Sequence, residues 1–180
     1  MDTSAALNQF LAGVERRAFR MARFAVKDTD EALDVVQDAM LGFVNSYGRK
    51  PAEEWPILFQ RVLQSRIVDS HRRSAVRNRF RVWFGRHDDA PDEGDYLQEI
   101  ADPAVGSPAD HLERRQLGAA LEKAVRALPL RQQQAFLLRC WEGLDGAQTA
   151  QAMGCSEGSV KTHLFRAMQS LRTKLEEFAP

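Results

Sequence analysis

Between residues 87 and 111 the chain reads HDDAPDEGDYLQEIADPAVGSPADH, where Pro91, Pro103 and Pro108 interrupt regular structure and acids recur throughout. Little of such a segment can be buried, so it reads as an acidic flexible linker. What folds must fold on either side of it. The chain is therefore expected to form two small domains, residues 1–86 and 112–180, joined by the linker 87–111.

Charge follows the same division. The formal net charge is zero, but it is strongly segregated. From Arg61 to Arg86 eight arginines stand against the single acid Asp69, a balance of +7, whereas Asp88 to Glu113 holds nine acids and no Lys or Arg, a balance of −9. A further five acids lie between Asp28 and Asp38 with no base among them. Blocks of this kind read as separate binding surfaces rather than a uniformly mixed surface.

Both units show helical periodicity, so the expected fold class is all-α. Leu7, Phe10, Leu11, Val14, Ala18 and Met21 form one stripe. Asp28 with Glu31 resembles a capping pair that opens a second helix, with the stripe Ala32, Val35, Val36, Ala39, Met40 and Phe43. A third helix buries Trp55, Leu58, Phe59, Val62, Leu63 and Ile67, then runs into arginines as its stripe fades. In the C-terminal unit, one helix carries Leu117, Leu121, Ala124 and Leu128 before Pro129, and a second carries Ala135, Leu138 and Trp141 before Gly143. Two more helices follow, and short connections favour a bundle.

The segment Gly146–Leu171 fits a helix-turn-helix. Ala150 allows close crossing, Gly154 suits a turn with positive φ, and Ser156 is a natural N-cap. Val160, Leu164, Ala167 and Leu171 make the buried stripe of the last helix. Its other side presents Lys161, Thr162, Phe165 and Arg166, with His163 at the margin and Ser156 and Ser159 at its start. Cations, hydroxyls and an aromatic ring suit a DNA major groove; an αα-corner with a polar face is the plain alternative. Gly154–Gly158 also spells GxSxG, the elbow of serine hydrolases. That motif needs a preceding strand and a later acid and histidine, whereas the segment before it reads as helical and His163 follows too closely to fold back as the base.

On the third helix Arg61, Ser65, Asp69, Arg72 and Arg73 recur on the polar side, and Asp69 is placed to pair with Arg72 or Arg73. From Arg77 to Phe84 arginines interleave with aromatics, a pattern for single-stranded nucleic acid or for packing on a partner. No apolar run reaches the ~18 residues of a membrane span, and the N-terminus lacks a secretion signal, so a cytoplasmic location without membrane insertion is expected. Cys140 and Cys155 form no CxxC pair and read as two reduced thiols. No catalytic residue, metal site or cofactor is expected.

Four stretches in order then carry a resemblance. Asp30–Met40 looks like the DAEDLVQEAF helix of the extracytoplasmic-function group of RNA polymerase sigma factors. Trp55–Arg73 looks like that family's WL-helix with its D-x-x-R-R ending. Ala127–Gln134 with Leu138–Leu144 looks like LPxRQR…LRYxEGL, and the helix-turn-helix closes the set. The chain departs from the family pattern at Ser65, at Pro56, in the loop 46–54 and at 146–149.

The resemblance implies roles. Asp34, Gln37, Asp38 and Leu41 of the second helix would dock on the β′ clamp helices of core RNA polymerase. Arg61, Ser65, Asp69, Arg72, Arg73 and Arg77 would read and open the downstream, minus-ten-type element of promoter DNA. Ser156, Ser159, Lys161, Thr162, His163, Phe165 and Arg166 would read the upstream, minus-thirty-five-type element, with the same unit seated on the β flap. An anti-sigma protein is a possible further partner. The alternative is a stand-alone helix-turn-helix regulator, which leaves the acidic second helix and basic third helix without a role.

Overall fold

A computed structural model of the protein describes residues 3–83 and 108–178, and every regular element among them is helical. Helix α1 spans Thr3–Ala25, α2 Thr29–Tyr47 and α3 Trp55–Trp83. Ala18 and Met21 of α1 are buried, with Leu7, Phe10, Leu11 and Val14 packed half-buried against the core. Asp28 caps α2 by accepting the Glu31 amide at 2.9 Å. Only this half of the expected capping pair forms. The Glu31 carboxylate turns away to α3 instead, where it meets three donors.

The α2 stripe Ala32, Val35, Val36, Ala39 and Phe43 packs onto Trp55, Leu58, Phe59, Leu63 and Ile67 of α3. Phe10 and Phe43 each lie within 6.0 Å of the Phe59 ring, and the Trp55 indole donates to the Lys50 carbonyl at 2.9 Å, closing the loop between helices. After Ser70 no α3 residue through Phe80 is buried. The helix itself continues to Trp83, as its fading stripe implied.

In the C-terminal unit α4 runs Pro108–Arg126, α5 Leu130–Phe136, α6 Gly146–Met153 and α7 Glu157–Lys174. Because α4 begins at Pro108, the last four residues assigned to the linker are helical; proline suits the first turn, where no amide hydrogen is missed. Residues 87–107 of that linker lie outside the described residues. Leu117 is exposed rather than in the core, where Ala124, Val125 and Leu128 are buried. Residues Leu137–Trp141 wind as a π-helix, so Leu144 bonds back to the Leu138 carbonyl, one residue further than an ordinary helix end requires. Gly143 takes φ 70° there.

The two units also pack on each other, which their sequence did not reveal. Helix α6 lies on α3 and α5 meets α1. Gln133 donates to the carbonyls of Phe24 (2.9 Å) and Val125 (3.1 Å), and Gln134 donates to the side chain of Gln64 at 2.8 Å. Gln64, Gln133 and Gln134 are each 3 % exposed or less. Phe24 meets Trp141 edge to face, and Arg17 pairs with Glu142 at 3.3 Å. Burial raises the Glu142 carboxyl above its ordinary value, and Arg17 pulls it back.

Removing one partner of a buried amide pair leaves the other unsatisfied, at about 1–3 kcal/mol. Gln134→Ala is therefore expected to lower stability by that amount and to raise hydrogen exchange at Gln64 and its α3 neighbours, measured by denaturation and mass spectrometry. Gly13→Ala, in an exposed turn of α1 with open space at its Cβ, should instead stabilise by about 0.5–1 kcal/mol.

Candidate nucleic-acid interface

Helix α6 is fixed at both ends by local bonds. Asp145 accepts the Gln148 amide at 2.7 Å while the Gln148 side chain accepts the Asp145 amide at 3.0 Å, a full capping box. This D-x-x-Q signature was readable in the sequence and passed over. At the other end Gly154 takes φ 64° and Cys155 donates to the Ala150 carbonyl at 3.1 Å, the bonding of a glycine-terminated helix. Ser156 then caps α7 by accepting the Ser159 amide at 3.1 Å. Arg131 of α5 donates to the Met153 carbonyl at 2.9 Å, tying the bundle to the end of α6.

Val160, Ala167 and Leu171 are buried and Leu164 is half-buried, which turns the opposite side of α7 outward. Lys161, Thr162, Phe165 and Arg166 are exposed, Phe165 by 63 %. Ser159 and His163 are intermediate. His163 titrates below its usual value through burial, then the charges of Arg131 and Arg166. The Thr162 hydroxyl donates to the Gly158 carbonyl at 3.1 Å, leaving its lone pairs outward. Gln169, Arg172 and Thr173 continue the same exposed face and, with Gln132, Arg166 and Ser170, line an open groove. Extending the period of Lys161, Thr162, Phe165 and Arg166 by two more turns reaches all three.

On α3, Arg61, Ser65, Asp69, Arg72, Arg73 and Arg77 are all exposed. The expected pairing of Asp69 with Arg72 or Arg73 does not form among the described residues, since all three point to solvent. Arg77 pairs with Glu31 at 2.9 Å instead. Phe84 and Arg86 lie outside the described residues. On α2, Asp34, Gln37, Asp38 and Leu41 are exposed, Leu41 by 65 %, and Leu33 and Val44 extend the outward apolar row. Among the described residues no helix is long and apolar enough to cross a membrane, and no group of three or more His, Cys, Asp or Glu is placed to hold a metal ion.

The structural likeness to known proteins follows this layout. Residues 118–171 match the family model "Sigma-70, region 4". The chain is 31 % identical over 160 residues to the RNA polymerase sigma-E factor of Streptomyces avermitilis, covering 87 % of this chain and 78 % of that one. It is 26 % identical over 170 residues to the ECF RNA polymerase sigma factor SigM of Mycobacterium tuberculosis, covering 92 % and 75 %. In fold it is similar to the sigma factor RpoE of Bartonella quintana, solved in complex with the anti-sigma factor NepR. The TM-score there is 0.65 at 20 % identity, over 94 % of this chain and 96 % of that one.

A Cβ at Gly154 would meet no atom within 4 Å, so the cost of Gly154→Ala lies in its left-handed backbone alone. That cost is about 1–2 kcal/mol. Thermal denaturation is expected to show a loss of that size.

Proposed function

The chain belongs to the extracytoplasmic-function group of RNA polymerase sigma factors, and from that premise we propose how its surfaces divide the work. As a sigma factor it binds core RNA polymerase and directs promoter-specific initiation of transcription. We assign core binding to α2, where Asp34, Gln37, Asp38 and Leu41 present acids beside an apolar row, a match for a basic and apolar helical partner such as the β′ clamp helices. Opening of the downstream element falls to α3 through Arg61, Ser65, Asp69, Arg72 and Arg73. Reading of the upstream duplex falls to α7 through Ser156, Ser159, Lys161, Thr162, His163, Phe165 and Arg166, with the same unit on the β flap. Gln169, Arg172 and Thr173 extend that contact along the DNA backbone.

The observation that carries this reading is the presence of two separate outward cationic faces, on α3 and on α7, in one chain. A stand-alone regulator needs only the second. The domain roles follow: residues 1–86 for core and the minus-ten-type element, 112–180 for the minus-thirty-five-type element. The protein acts without catalysis of its own, in the cytoplasm with its polymerase, and an anti-sigma protein is a partner to look for.

Two experiments test the division. Asp34→Lys with Asp38→Lys should weaken core binding in a fluorescence titration while leaving helicity unchanged; unaltered affinity refutes the α2 assignment. A bidentate arginine contact discriminates by about 1–3 kcal/mol, so Arg166→Ala should cost about ten-fold in initiation and relax preference at one upstream position. Arg72→Ala with Arg73→Ala should instead reduce permanganate reactivity of melted thymines, and a premelted bubble template should rescue this pair but not Arg166→Ala.

A further inference from the structure

Helix α3 leaves the protein core at a definable point. Its buried positions Phe59, Leu63, Ile67 and Ser70 follow one stripe, and Ser70 is the last of them among the described side chains. The stripe then continues as Ser74 and Arg77, spaced by four and three residues. All three side chains converge on one atom. The Glu31 Oε1 accepts from Ser70 Oγ at 2.5 Å, from Ser74 Oγ at 2.8 Å and from the Arg77 guanidinium at 2.9 Å. Arg77 also donates to Ser74 Oγ at 3.1 Å. Among the described residues, every side-chain hydrogen bond that α3 makes to another element beyond Gln64 ends on Glu31.

We propose that Glu31 is a positioning residue for promoter opening, aiming the arginine-rich end of α3 relative to the core-binding face of α2. The proposal rests on the assignment of α3 to the downstream element. Glu31 is well placed for this. Its amide is held by the Asp28 cap at 2.9 Å, so the carboxylate starts from a fixed turn. Asp34 of the core-binding face follows within a single turn of the same helix. A carboxylate accepting three donors, one of them charged, resists displacement far better than a neutral acceptor. Arg72 and Arg73 make none of these bonds and stay exposed, free for phosphates. Arg77 changes its part: paired with Glu31, it acts as a strut that holds the arm rather than as a phosphate ligand.

The test uses the full-length chain assembled with core polymerase. Glu31→Ala, Glu31→Gln, Arg77→Ala and the double Glu31→Ala with Arg77→Ala are compared for core affinity, closed-complex binding and permanganate reactivity. Glu31→Ala should keep core affinity within roughly two-fold but lower permanganate reactivity about ten-fold, as loss of hydrogen bonds to a charged group allows. A premelted template should restore initiation. Glu31→Gln, which keeps an acceptor for the serines, should fall between. The double variant should be no worse than Glu31→Ala, because Arg77 acts only through Glu31. Additive losses would make Arg77 a direct DNA contact and overturn the strut. Core affinity and melting temperature falling in step with opening, in Glu31→Gln as well as Glu31→Ala, would reduce Glu31 to a fold residue and overturn the proposal. So would normal opening by Glu31→Ala beside an active parent. If instead Arg72→Ala with Arg73→Ala also opens normally, the assignment of α3 itself fails, and the proposal with it.

Discussion

The apolar seam between α2 and α3 is what the rest of the molecule depends on. Phe43 and Phe59 meet edge to face at 5.7 Å, with Phe10 against both and Trp55 closing the end. Such pairs contribute about 0.5–1.5 kcal/mol each beyond their burial. The seam also fixes rotation. Once Ala32, Val35, Val36, Ala39 and Phe43 face inward, Asp34, Gln37, Asp38 and Leu41 must face outward. The same holds on α3, where burial of Phe59, Leu63 and Ile67 turns Arg61, Ser65 and Asp69 to solvent. Two outward polar faces are thus consequences of one hydrophobic contact.

The contact between the two units is built differently. Its centre is amide chemistry: Gln134 on Gln64, and Gln133 spanning Phe24 of the first unit and Val125 of the second. Its edge adds Arg17 with Glu142 and the Phe24–Trp141 ring pair. Amides exchange protein partners for water at small net cost, so they give this contact geometric definition with modest net energy, beside the apolar burial the two units share. Apolar burial along the α2–α3 seam has no such exchange open to it.

The fold was legible where periodicity decided it. The stripes of α1, α2 and α3 sit in the core or packed against it at every position named from sequence, because an apolar period of 3.6 residues has few other uses. Gly154 and Ser156 were legible because the chemistry of a helix stop and start is local. What escaped was long-range or ambiguous. The burial of Gln133 and Gln134 has no local signal, since glutamine is usually exposed and only a partner from a distant helix makes its burial tolerable. Glu31 read as a capping residue because the donors that draw it away stand 39 to 46 positions later. Leu117 keeps the α4 period of a core position, yet it is 41 % exposed. The faces on α2, α3 and α7 were legible by subtraction, as what the buried stripes leave outside.

Helix α3 packs on α1, α2 and α6 and bonds to α5 without conflict, and its register explains how. Phe59, Leu63, Ile67 and Ser70 face α1 and α2, while Gln64, one residue on from Leu63, is turned by ~100° toward α5. Arg61, Ser65, Asp69 and Arg72 occupy the remaining arc and stay exposed while the units are packed together. The α7 face is likewise outward, because its buried stripe points into its own bundle. Contact between the units therefore uses a side of α3 that neither the core nor the cationic face requires. A substitution at Gln64 acts on how the units are joined, and one at Arg61 or Arg72 acts on charge, so the two effects are separable by position on a single helix.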